Sequence, residues 1–177
     1  MRLSEMDNEL PKRKPTRLGC FDYSTTGAYF VTICTEGRRE ILSPIVGGDV
    51  PDAPFSSARV ILSEYGIIAN KYINQLNEFF NDITVDRYVI MPNHIHIMLL
   101  VTGDGASRTS PPTKQHASVP QFVSTFKRFC NKEYGCNIWQ RSFHDHVIRN
   151  KHDYDEIIKY IVENPMRWHY DELYSEQ

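Results

Sequence analysis

The stretch Thr84 to Val101 constrains the fold most, because it contains two strand-like runs joined by a turn that only a hairpin accommodates. Thr84 to Met91 is rich in β-branched and aromatic residues and reads as a long strand. Pro92 cannot donate to a ladder and Asn93 tolerates tight turns, so the pair ends that strand. His94 to Val101 then reads as a third strand, folded back on its predecessor. Side chains alternate across a strand, so Ile95, Ile97 and Leu99 point to a core while His94 and His96 share the opposite face.

The remaining elements are read around this hairpin. Tyr29 to Thr35 predicts a first strand. Residues 42 to 57, with Gly47, Gly48 and three prolines, predict a loop. A helix follows, with Ile61, Tyr65, Ile68, Tyr72 and Leu76 on one face. Residues 102 to 117 are polar and turn-rich and predict a mobile loop. A second helix over 119 to 134 turns Val119, Phe122, Val123, Phe126, Phe129 and Cys130 inward. Ser142 to Ile148 predicts a fourth strand. A third helix opens near Asn150, where Asn150 and Asp153 resemble a capping box, and Pro165 closes it. The order β-α-β-β-α-β plus a terminal helix is the ferredoxin-like pattern of an α+β domain, an antiparallel sheet with two helices on one face. The expected organisation is a basic arm at 1–20 and a single domain at 21–177.

Composition narrows the class of partner. With 41% hydrophobic and 24% charged residues in 177, the chain has the profile of a soluble globular domain. No apolar run approaches the roughly 20 residues of a membrane helix, and no secretory h-region is readable, so the expected location is the cytoplasm. Four scattered cysteines, Cys20, Cys34, Cys130 and Cys136, lack a C-x-x-C pair and read as reduced thiols. The net charge of -2 argues against nucleic acid until its distribution is considered. Lys12, Arg13 and Lys14 sit in an N-terminal basic run, and Lys127, Arg128, Arg141 and Arg149 in a second. Phosphate backbones respond to such local charge, because salt confines fields to about 10 Å.

Chemistry-bearing residues fall in three places. His94 and His96, about 7 Å apart along a strand, can converge on one divalent cation, or be a hydrogen-bonded pair at a sheet edge. His144-Asp145-His146 is a second such pair that local spacing does not distinguish. On the third helix, Tyr154, Ile157, Ile158 and Ile161 form the buried stripe, and Tyr160 lies roughly 110° from its centre. Asn164, one turn on, offers a carbonyl oxygen on the same flank.

The ordered blocks N-H-I-H-I-M-L-L, W-Q-R-S-F-H-D-H-V-I-R-N and Y-I-V-E-N-P-M-R-W resemble those of the single-tyrosine HUH transposases, most closely the REP-associated branch. The resemblance runs from about Tyr29 to Trp168. It implies a ferredoxin-like sheet, Mg²⁺ or Mn²⁺ held by His94, His96 and Asn164, and Tyr160 as nucleophile. It further implies cleavage and strand transfer on single-stranded or hairpin DNA through a 5′-phosphotyrosine link, with the basic residues above as DNA contacts, by a monomer or a homodimer. Two rival functions are a non-catalytic DNA-repeat-binding protein built on the same fold, and a metal-dependent phosphodiesterase using water. A soluble domain with a structural histidine pair is a third.

Overall fold

In the computed structural model, residues 22–46, 59–102 and 118–174 are described. The basic arm with Lys12, Arg13 and Lys14, Cys20, and nearly all of the 102–117 loop lie outside them. The strands are β1 (Gly27–Cys34), β2 (Ile45–Val46), β3 (Arg59–Val60), β4 (Ile83–Ile90), β5 (His94–Val101) and β6 (His144–Ile148). The helices are α1 (Glu64–Phe79), α2 (Val119–Tyr134) and α3 (Lys151–Glu163), and a 3₁₀ turn spans Asn164–Tyr170. The main sheet has the order β4-β5-β1-β6, every neighbour antiparallel. This is the ferredoxin-like α+β arrangement, with a third helix added at the C-terminal side.

The sheet's two faces do different work. Tyr29, Val31 and Ile33 of β1 join Ile95, Ile97 and Leu99 of β5 in one buried core with Ala69, Ile73 and Leu76 of α1 and Phe122 and Phe126 of α2. The alternate residues, Thr32 and Cys34 opposite His96 and His94, point the other way. α3 covers that second face. Its N-terminal end is fixed by Tyr154 Oη donating to Asp86 Oδ2 at 2.6 Å, where a register shift in β4 presents Asp86, and its C-terminal end by Ile161, which is buried.

Three expectations are corrected. Ile45–Val46 pairs with Arg59–Val60, so part of the predicted loop is a short ribbon. The α1 face is rotated: Gly66, Ala69, Ile73 and Leu76 are buried, while Ile61 and Tyr65 are exposed. The cause lies at the helix start, where Ser63 Oγ accepts from Gly66 N and donates to the Ile41 and Leu42 carbonyls, drawing the first turn onto that segment. The fourth strand begins at His144 rather than Ser142, because Lys127 Nζ already occupies the Gln140 and Ser142 carbonyls at 2.7 Å.

Gly66 supplies a test of this packing. A Cβ there would lie 2.2 Å from the Leu42 carbonyl oxygen, a backbone atom that cannot step aside. Gly to Ala ordinarily favours a helix by about 1 kcal/mol, but overpacking costs about 1–3 kcal/mol. Gly66→Ala is therefore expected to lower the urea midpoint.

Candidate metal and nucleophile site

β5 begins immediately after the Pro92-Asn93 turn, which places His94 and His96 at the end of the sheet, beneath α3 and the 3₁₀ turn. His94 is fully buried and His96 is 3% exposed. Their Nε2 atoms are 2.9 Å apart. His94 Nδ1 lies 2.8 Å from Asn93 Oδ1, an atom that only accepts, so the proton sits on Nδ1 and Nε2 keeps its lone pair. His96 Nδ1 is 2.9 Å from Thr32 Oγ1. Burial holds both imidazoles neutral, taking His94 down to about 4 and His96 well below its ordinary value, with His94 adding to the depression of His96.

Tyr160 reaches this pair from α3. Its hydroxyl lies 3.3 Å from His96 Nε2, and its ring stands edge-on to Phe30, which itself packs on His96. At 42% exposed it remains open to solvent. Tyr160 Oη donates to Asp171 Oδ2 at 3.0 Å, and Asn164 Nδ2 donates to the same oxygen at 2.7 Å. Burial raises the Tyr160 phenol above its ordinary value, and the Asp171 carboxylate adds to this.

Asn164 is 2% exposed, and with its amide nitrogen committed to Asp171 its Oδ1 is buried without a hydrogen-bond partner among the described residues. A buried, unpartnered carbonyl is costly unless something else fills the role of donor or cation. The donor set fits a divalent cation on these grounds. Two neutral imidazole nitrogens at 2.9 Å match the roughly 3.0 Å between adjacent ligands on one ion with bonds of about 2.1 Å. His94, His96 and Asp171 also offer ligand atoms within 4.8 Å of one another.

Asp171 is the residue that sequence reading missed. It lies in a tail with seven acids among 26 residues, and nothing in local spacing marks it. Its position depends on the 3₁₀ turn after Pro165 and on Asn93 Nδ2 donating to Leu173 O, which ties the tail to the β4–β5 turn.

The second histidine pair is separated by chemistry rather than by face. His144 and His146 pair with Thr32 and Phe30, so they share the sheet face of His94 and His96 but lie across β1. His146 Nε2 is 3.0 Å from Asp153 Oδ2, and His144 is exposed. The capping expectation is met in part. Asn150 Oδ1 accepts from Asp153 N, whereas Asp153 reaches the Arg149 amide rather than that of Asn150.

The sequence-selected cations among the described residues do not join this centre. Lys127, Arg128 and Arg141 line one open cavity of about 410 Å³ between α2 and the strand leading into β6. Arg149 is exposed just before α3. Cys34 and Cys130 are buried free thiols and Cys136 an exposed one. Among the described residues no helix is long and apolar enough to cross a membrane.

Two neutral buried histidines make stability pH-dependent. Each is depressed relative to its unfolded value near 6.5, so the unfolded chain binds more protons below that pH. Stability present above pH 6.5 is expected to fall as pH drops toward 4, by about 1 kcal/mol per unit for each imidazole. Urea melts at pH 7, 6 and 5 check this, and His96→Gln is expected to flatten the slope.

No family model matches the chain. It is 27% identical over 178 residues to an uncharacterised protein of Haemophilus influenzae, covering 92% of this chain and 93% of that one. Its structure resembles that of a REP-associated tyrosine transposase bound to a REP hairpin, with a TM-score of 0.59 and 20% identity over 85% of this chain and 73% of the other. The fold is thus the transposase-like one that the three sequence blocks imply.

Proposed function

We propose that this chain cuts and rejoins single-stranded or hairpin DNA, using Tyr160 as nucleophile beside a divalent cation. One observation carries the reading: a half-exposed phenol lies 3.3 Å from a histidine nitrogen that itself faces a second histidine nitrogen at 2.9 Å. A structural histidine pair or a DNA-binding module has no use for a tyrosine there. The solved protein of like fold is bound to a REP hairpin, which supports DNA as the substrate class.

His94, His96, Asp171 and the Asn164 carbonyl would hold the ion, and hard oxygen donors alongside imidazole favour Mg²⁺ or Mn²⁺. Such an ion, when bound, polarises a phosphate oxygen and offsets charge in an in-line displacement. The chain's own groups do the rest. Asn93 and Thr32 fix the imidazole rings through their Nδ1 atoms. Tyr160 Oη attacks phosphorus and its proton moves toward Asp171 Oδ2, the acceptor it already touches. The phosphorus–3′-oxygen bond breaks, a 5′-phosphotyrosine forms, and the departing oxygen takes up a proton to become a 3′-hydroxyl. Because the phosphodiester is conserved, another 3′-hydroxyl can reverse the step and join new ends.

The experiment is a denaturing gel of the protein with labelled single-stranded hairpins and Mn²⁺. A metal-dependent covalent adduct is expected. Cleavage without an adduct favours the water-using phosphodiesterase, and metal-independent binding without cleavage favours the recognition module.

The basic cavity and the N-terminal run are the proposed track for the DNA backbone, with Lys12, Arg13, Lys14, Lys127, Arg128, Arg141 and Arg149 as contacts. Arg128 and Arg141 reach the same cavity, and neither has an acidic partner among the described residues. Arg128→Ala and Arg141→Ala are each expected to reduce the slope of log affinity against log salt by about 1 or less. An unchanged slope removes that residue from the track.

A further inference from the structure

α3 carries the nucleophile but buries little of itself. Of its 13 residues only Ile161 is buried, with Tyr154, Ile157 and Ile158 half-buried. A helix docked through so narrow an apolar contact rolls about its axis unless polar contacts stop it. Roll is the motion that most disturbs Tyr160. Side-chain atoms lie about 6 Å from a helix axis, so a roll of about 10° moves the hydroxyl by about 1 Å. Misplacing a reacting atom by about 1 Å costs up to about 10²-fold in rate. The 3.3 Å between Tyr160 Oη and His96 Nε2 therefore depends on what fixes the roll.

Two polar ties do so, one from each outer strand of the sheet. From β4, Asp86 Oδ2 accepts from Tyr154 Oη at 2.6 Å. Asp86 falls at the register shift, between Val85 opposite Leu99 and Arg87 opposite Met98, and such bulges re-aim a side chain. From β6, His146 Nε2 lies 3.0 Å from Asp153 Oδ2 and 3.1 Å from Oδ1, and a carboxylate that only accepts keeps the proton on that nitrogen. Asp153 and Tyr154 are consecutive and stand about 100° apart around the helix, so the ties pull toward opposite edges of the sheet. Asp153 also lies two turns before Tyr160, which puts both on one flank.

We propose that Asp86 and His146 are positioning residues: through Tyr154 and Asp153 they fix the roll of α3 and hold the Tyr160 hydroxyl at the histidine pair. Both act through the helix and not on the phosphorus. The proposal rests on the reading of Tyr160 as nucleophile, and its test reads the place of that ring apart from any chemistry.

The full chain is made with meta-fluorotyrosine, and the fluorine resonance of residue 160 is identified by its loss in Tyr160→Phe. In the wild type it is expected to stand apart from that of Tyr170, which is 90% exposed, because the Phe30 and His96 rings lie at 6.1 and 5.2 Å. Tyr154→Phe and Asp86→Ala are each expected to move it toward the Tyr170 position. Asp86→Asn keeps an acceptor for the Tyr154 hydroxyl and is expected to leave it in place. His146→Ala is expected to move it less, since that pair is partly exposed, and to add to the effect of Tyr154→Phe. On the hairpin that the wild type cuts, with strand and Mn²⁺ saturating, Tyr154→Phe is expected to slow adduct formation at least about tenfold. The strand concentration giving half the maximal rate is expected to stay within about twofold, which a general loss of structure does not spare. A resonance that Tyr154→Phe and Asp86→Ala leave in place, or that Asp86→Asn moves as far as Asp86→Ala, overturns the positioning role and spares the enzyme reading. A resonance that moves as expected in a chain that forms no adduct supports the ties and overturns the enzyme reading.

Discussion

Tyr160→Phe is expected to abolish covalent adduct formation, by more than about 10³-fold, while leaving metal affinity and the fold intact. The substitution removes one hydroxyl that donates to Asp171 and lies 3.3 Å from His96 Nε2, at a half-exposed position. An exposed hydrogen bond of that kind is worth about 1 kcal/mol or less to stability, so the variant remains folded. His96 keeps Thr32 on Nδ1, and Asn164 keeps Asp171, so the donor set for a cation is undisturbed. The rival using water as nucleophile predicts the reverse, with cleavage surviving and no adduct in either protein. A gel comparison of the two proteins on one cleaved hairpin separates these outcomes.

His96→Ala is expected to act through the metal instead. It removes one of two nitrogens that face each other at 2.9 Å and leaves His94, Asp171 and Asn164 as an incomplete set. Loss of groups that merely orient a ligand costs about 10–100-fold in metal affinity, so loss of the ligand itself costs at least that. Mn²⁺ titration followed by electron paramagnetic resonance reads this directly, without any cleavage assay. Adduct formation is expected to fall in parallel and to recover partly at high Mn²⁺. An unchanged Mn²⁺ affinity removes the histidine pair from the metal site, whatever happens to activity. The two variants therefore fail differently: Tyr160→Phe loses chemistry with metal bound, and His96→Ala loses chemistry because metal is lost.

The hairpin was legible because its signals agree at every level. β-branched content, period-two alternation and the Pro92-Asn93 turn all point to the same register, and β5 spans His94–Val101 as its pattern predicts. α2 was equally legible, from a single apolar stripe that ends where Gly135 adopts a left-handed φ of 73°. The face of α1 was not, since its rotation is set by Ser63 and Gly66 meeting a segment more than twenty residues earlier. In the candidate site, the flank of Tyr160 follows from helical spacing, but its approach to His96 needs α3 docked on the sheet. Asp171 was illegible for a different reason. A carboxylate in an acidic tail gains meaning only when the 3₁₀ turn and the Asn93–Leu173 bond fold that tail over the histidines. The two histidine pairs show the same limit: identical spacing, one pair facing itself in the interior and the other divided between solvent and Asp153.

The most direct test of the central claim is to locate the covalent link by peptide mapping of the isolated adduct. Trypsin cuts after Lys159 and Arg167, and the peptide 160–167 contains Tyr160 as its only tyrosine. The account predicts that a 5′-linked nucleotide mass is carried on that peptide and that fragmentation assigns it to Tyr160. The mass found instead on Tyr154, Tyr170 or Tyr174, or a cut strand with no linked peptide, would contradict it.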